Sequence, residues 1–143
     1  MKKRNSRQDT IRDIIRSRSI RTQRSLVDEL EQAGFNCTQA TVSRDIADMG
    51  LRKLPEGIYV LAEDLHLQKM VSELVQEVTR SNNLIVIKTQ PGTAPGIAAA
   101  VDAADLPEIM GSIAGNDTLL VITYDEEMGS KVEDLINKLR VCD

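Results

Sequence analysis

The sequence predicts an α+β protein in two parts: a helical N-terminal domain closed by a β-hairpin, then a small C-terminal α/β sandwich with a mostly antiparallel sheet. Three observations lead there. Charge is divided, with 12 Lys/Arg against 8 Asp/Glu in residues 1–62 and 6 against 14 in residues 63–143. Apolar residues recur at helical spacing in three short segments before residue 50. Beyond residue 80 the pattern turns to β-branched and aliphatic runs punctuated by Gly, Asn and Pro. The expected domains are 1–62, a polar linker over 63–68, and 69–143.

The N-terminal elements follow from spacing and caps. Residues 9–18 place Ile11, Ile14 and Ile15 on one helical face, with Asp9 or Thr10 as the expected cap. A second helix is expected over 23–33, capped by Thr22, striped by Leu26, Val27 and Leu30, and ended by Gly34. A third follows Thr38, carries Val42, Ile46 and Met49 inward, and ends at Gly50. LRKLPEGIYVL (51–61) then reads as two short strands about Pro55-Glu56-Gly57. Three helices and a hairpin in this order form a winged helix-turn-helix.

The first 24 residues hold 9 basic and 2 acidic side chains, the composition of a polyanion-binding head. On the third helix, Ala40, Arg44 and Ala47 lie opposite the apolar stripe, flanked by Thr41 and Ser43. Small alanines let a helix approach the major-groove floor, and Arg44 suits a bidentate contact with guanine. Gln39 and Thr41 at the helix start suit phosphate or base edges. Gln23, at the head of the second helix, and Arg52 and Lys53, in the hairpin, complete the expected DNA-contacting set. Asp45 and Asp48 run against this reading, because acids repel phosphates.

In the C-terminal half, Leu67, Met70, Val71, Leu74, Val75 and Val78 predict a helix over 67–78. Leu84-Ile85-Val86-Ile87 reads as a buried strand, and PGTAPG (91–96) as a turn opening a small helix. MGSIAGNDTLLVITYD (110–125) reads as two strands joined at Gly115-Asn116-Asp117, and 126–140 as a last helix with Val132, Leu135, Ile136 and Leu139 inward.

Composition narrows the function. At 143 residues, 41% apolar and 28% charged, the chain has the makings of a packed core rather than of disorder. It shows no membrane-length apolar run and no signal-peptide h-region, so a cytoplasmic protein is expected. Cys37 and Cys142 stand too far apart for a metal-ligand motif, and one histidine, His66, supplies neither a zinc set nor a catalytic pair. The acids Asp102, Asp105 and Glu108 have no basic companion and read as a solvated face. Neither an enzyme, a metal nor a bound cofactor is expected. Three aromatic residues, Phe35, Tyr59 and Tyr124, are too few for a single-strand stacking platform.

Two segments together resemble the bacterial arginine repressor family: TQATVSRDIADMGLRK (38–53), and the pair PGTAPGIA (91–98) and GSIAGNDTLLVI (111–122). The resemblance implies a winged-helix domain joined to an oligomerisation and effector domain. It implies trimers that stack into hexamers, L-arginine as corepressor at the trimer–trimer interface, and palindromic operators of arginine biosynthesis or catabolism genes. It places Gln39, Thr41, Ser43 and Arg44 on the DNA-reading helix, and Thr93, Ala94, Asn116 and Asp117 at the effector site. A carboxylate such as Asp117 is the natural partner of a guanidinium. The sequence departs from the family pattern at Asn116, where a first aspartate is usual, and at Pro95, where a polar side chain is frequent. Two competing readings stay open: a divergent paralogue with a weak or altered effector response, and an oligomeric DNA-binding accessory that does not act at promoters.

Overall fold

The structure is a computed structural model that describes residues 2–140, with side chains from Ser6 onward. Cys142, and the side chains of Lys2, Lys3 and Arg4 in the basic block, lie outside the described residues. The chain separates into two compact units, Met1–Ala62 and Glu63–Asp143.

The first unit holds α1 (Lys2–Ser17), α2 (Gln23–Gln32), α3 (Gln39–Met49) and the strands β1 (Leu51–Lys53) and β2 (Tyr59–Leu61). Its core is Ile11, Ile14, Ile15, Ile20, Leu26, Leu30, Val42, Leu51 and Leu61. The three helical stripes and the hairpin therefore meet in one place. Helix α1 begins well before the expected start at residue 9, so Asp9 and Thr10 are interior residues and not caps; the Thr10 hydroxyl donates to the Ser6 carbonyl at 2.9 Å. The early turns carry no apolar periodicity, but Lys, Arg and Gln are good helix formers and nothing interrupts them.

Both expected caps further on are formed. Thr22 accepts from Ser25 N at 3.0 Å and Thr38 from Thr41 N at 3.2 Å. Gly50 ends α3 at φ 68°, a left-handed conformation that costs a side-chain-bearing residue energy. Strands β1 and β2 pair antiparallel, with Leu51 opposite Leu61 and Lys53 opposite Tyr59. The intervening turn closes through Leu54 N to Ile58 O at 2.9 Å and Gly57 N to Leu54 O at 2.8 Å.

The second unit runs α4 (Leu65–Leu74), β3 (Val75–Ser81), β4 (Leu84–Thr89), α5 (Ala94–Ala103), β5 (Ile109–Ala114), β6 (Thr118–Thr123) and α6 (Glu126–Leu139). Its sheet has the order β3-β4-β6-β5, with every neighbouring pair antiparallel. Two expectations are corrected. Residues 63–68 are not a linker: a 3-10 turn (Ala62–Asp64) leads directly into α4, where Leu67 is buried. The helix expected over 67–78 stops at Leu74, and residues 75–81 are a strand hairpinned to β4 through Asn82-Asn83. Val75 and Val78 happen to continue the helical spacing, but ladder bonds to β4 decide the outcome. Asn82 takes φ 55°, which asparagine tolerates better than most residues.

One sheet face is dry. Ile85, Ile87 and Thr89 of β4 and Leu119, Val121 and Thr123 of β6 are buried on the side that meets Ile97 and Val101 of α5 and Val132 and Ile136 of α6. The other face carries Leu84, Val86, Leu120, Ile122 and Ile113, and Ile113 is 66% exposed.

Candidate nucleic-acid interface and effector turns

Helix α3 turns Val42 into the core and leaves Gln39, Ala40, Ser43, Arg44 and Ala47 exposed. The predicted reading face is thus assembled with small residues beside the one long cation. Thr41 is half-buried and engaged locally, its hydroxyl 3.1 Å from that of Thr38. Arg52 and Lys53 are exposed on the wing that directly follows α3, and the Lys53 ammonium stands 5.4 Å from the Tyr59 ring centroid. Gln23 is half-buried at the first position of α2. Arg21 serves the fold instead, donating to the Glu56 carbonyl in the wing turn at 2.7 Å.

Asp45 is a correction. It does not face outward to repel phosphates; it is buried, and Arg7 of α1 holds both of its oxygens, Nη2 donating to Oδ1 at 3.0 Å and Nε donating to Oδ2. The Gln8 amide adds a third donor at 3.3 Å. Hydrogen bonding to Asp45 raises the Arg7 pKa above its ordinary value against the opposing cost of burial. Burial pushes the nearby Cys37 thiol up, with the Arg7 charge working the other way. A signal for this pair existed: Asp45 stands three residues from Val42 and four from Met49, inside the apolar stripe, where an acid requires a partner. Asp48 is exposed.

In the second unit, two turns far apart in sequence are bonded together. Gly92 N donates to the Asn116 side-chain Oδ1 and backbone O, both at 3.1 Å, and Ala94 N donates to Asn116 O at 3.3 Å. Thr89 N donates to Asp117 O at 2.8 Å. The segments 91–94 and 115–118 therefore form one cluster at the end of β4 and β6. Gly92 allows the approach with φ 83°. Thr93 is half-buried and its hydroxyl donates to Gln90 O at 2.7 Å, whereas Ala94 is fully buried and contributes backbone. Pro95 occupies the first turn of α5, where a missing N–H costs nothing.

Asp117 is exposed at the tip of this cluster and accepts from the Thr118 hydroxyl at 3.1 Å. Lys88, which no sequence pattern singled out, donates to the same hydroxyl at 3.0 Å. Both signs of charge thus stand on one small surface. Asp102 and Asp105, expected on a solvated face, are exposed but line a shallow cavity of about 150 Å³ with Leu106 and Met110, and Ser112 lies within 3.4 Å of the Asp102 carboxylate. Among the described residues, no three His, Cys, Asp or Glu side chains are grouped to hold a metal ion. No helix among them is long and apolar enough to cross a membrane.

The first unit has the architecture of a winged-helix DNA-binding domain, and the chain as a whole joins it to an α/β unit with an exposed turn cluster. Residues 1–67 match the family described as the arginine repressor DNA binding domain, and residues 71–138 match the arginine repressor C-terminal domain. The chain is 42% identical to the arginine repressor of Carboxydothermus hydrogenoformans over 88% of its own length and 91% of that protein. It is 43% identical to that of Thermus thermophilus (90% and 85% covered) and 45% identical to that of Halalkalibacterium halodurans (90% and 94%). The chain belongs to the arginine repressor family of DNA-binding transcriptional regulators.

Proposed function

We propose that this chain represses arginine biosynthesis or catabolism genes by binding palindromic operators as a hexamer, with L-arginine as corepressor between two trimers. The observation that carries this reading is the turn cluster: Asn116 ties the 91–94 turn to the 115–118 turn and leaves the Asp117 carboxylate exposed beside them. An exposed carboxylate suits a guanidinium, and Lys88 close by suits the ligand's own carboxylate. The apolar outer sheet face, with Ile113 and Leu84 exposed beside half-buried Leu120 and Val86, supports assembly, because a subunit contact would cover it. A ligand that binds only the assembled state stabilises it by linkage, and linked heads gain DNA affinity through effective concentration. In this scheme Gln39, Ser43 and Arg44 read bases, and Gln23, Thr41, Arg52 and Lys53 hold the backbone.

Isothermal titration of L-arginine into the full chain, with citrulline as control, tests the ligand. Saturable heat with arginine and none with citrulline is expected, together with sedimentation at hexamer mass in the presence of arginine. The second reading, a paralogue with an altered effector, draws on Asn116, which keeps the hydrogen bond to Gly92 but lacks a second charge. Silence with arginine at millimolar concentration selects it.

A further inference from the structure

We propose that the Arg7–Asp45 pair is a positioning device that sets the rotation of helix α3 about its own axis, and with it the specificity of the DNA contact. The inference rests on α3 being the element that reads base edges. Asp45 follows Arg44 directly and points the other way, into the unit, with a side chain 2% exposed. Its companions on that face are Val42, Ile46 and Met49. The hydrophobic effect is not directional, so on such a bed a rotation of the helix is opposed by packing shape alone. A turn of about 20° moves a side-chain tip roughly 6 Å from the axis by about 2 Å, enough to break a bidentate hydrogen bond.

The ion pair supplies the direction that the apolar bed lacks. Arg7 lies 38 residues earlier in the chain and engages both carboxylate oxygens through two nitrogens of one planar group, and Gln8 holds Oδ1 from α1 as well. Two bonds in one plane resist rotation in either sense. Asp45 is buried and Arg7 half-buried; ion pairs withdrawn from water seldom add net stability over well-packed apolar residues, and their best-attested role is to specify orientation and register. The pair is also neutral as a whole. One cation of the basic N-terminal block is thereby committed to the fold and withdrawn from the phosphate-binding set.

The test uses the full chain and the charge-neutral double variant Arg7→Met/Asp45→Leu, with Asp45→Asn as a second, isosteric variant. The probes are a duplex selected from a random pool by the wild-type chain and a scrambled duplex of the same length, titrated at several salt concentrations. The expected result is a folded double variant of wild-type or higher Tm. Scrambled-duplex affinity should lie within about twofold of wild type with an unchanged salt slope, and selected-duplex affinity should fall at least tenfold. Asp45→Asn should lose selectivity in the same direction. Selected-duplex affinity equal to wild type in either folded variant overturns the proposal. Proportional loss on both duplexes with a falling Tm reduces the pair to a fold contact, and a salt slope lower by about one makes Arg7 a phosphate contact instead. Arg44→Ala separates the two levels. If it leaves selectivity intact, the reading of α3 is wrong; if it abolishes selectivity while the double variant matches wild type, only the positioning role falls.

Discussion

Position 116 could serve two tasks, of which the amide of Asn116 performs one. Its Oδ1 accepts from Gly92 N at 3.1 Å and holds the two turns together, a task an aspartate oxygen does equally well. The charge an aspartate would bring to the surface beside Asp117 is absent. Asn116→Asp should therefore leave Tm within a degree or two and raise arginine affinity by about tenfold, the order of one charge-assisted hydrogen bond. Titration of L-arginine into the variant checks this, and unchanged affinity would show that position 116 serves the turn alone. Ala94 illustrates the opposite case. The resemblance marks it as an effector-site residue, yet its side chain is fully buried and only its N–H reaches the cluster.

At the scale of elements, caps and close approaches do most of the positioning. Thr22 and Thr38 start α2 and α3 at defined residues. Helix α6 depends on Gly129, where an added Cβ would stand 2.7 Å from the Asn82 carbonyl and 3.2 Å from the Thr123 hydroxyl. The first of these is backbone in the β3–β4 hairpin and yields poorly. Gly129→Ala should cost about 1–3 kcal/mol through overpacking, partly offset by the better helix propensity of alanine. A drop of several degrees in the thermal midpoint is expected by calorimetry. A midpoint at or above wild type would mean that the hairpin moves aside freely. Most elements were legible beforehand because their caps, stripes and turn residues agree. Strand β3 was not, since Val75 and Val78 continue the helical spacing and would fall on opposite faces of a regular strand; pairing with β4, irregular between Val75 and Glu77, decides the outcome.

For the whole molecule, the division of charge matches the division of labour: a basic reading unit and an acidic unit with two unlike sheet faces. The inner face of that sheet is covered by the unit's own helices, whereas Ile113 on the outer face is 66% exposed. Under the hexamer reading, a lysine there places a charge inside a subunit contact. Ile113→Lys should lower the assembly to smaller species in analytical ultracentrifugation while leaving circular dichroism and Tm of the monomeric unit unchanged. A variant that assembles as the wild type would move the contact elsewhere.

What the sequence determined alone was everything carried by local rules: caps at Thr22, Thr38 and Gly50, the wing turn, the places of β4 and β6 in the chain, and the solvent face of α3. These depend on residues a few positions apart, so spacing suffices to read them. The tertiary structure decided what depends on partners distant in the chain. It made Asp45 the buried partner of Arg7, turned residues 75–81 into a strand and bonded Gly92 to Asn116. In each case the local sequence allows more than one outcome, and a directional bond or ladder from far along the chain selects among them.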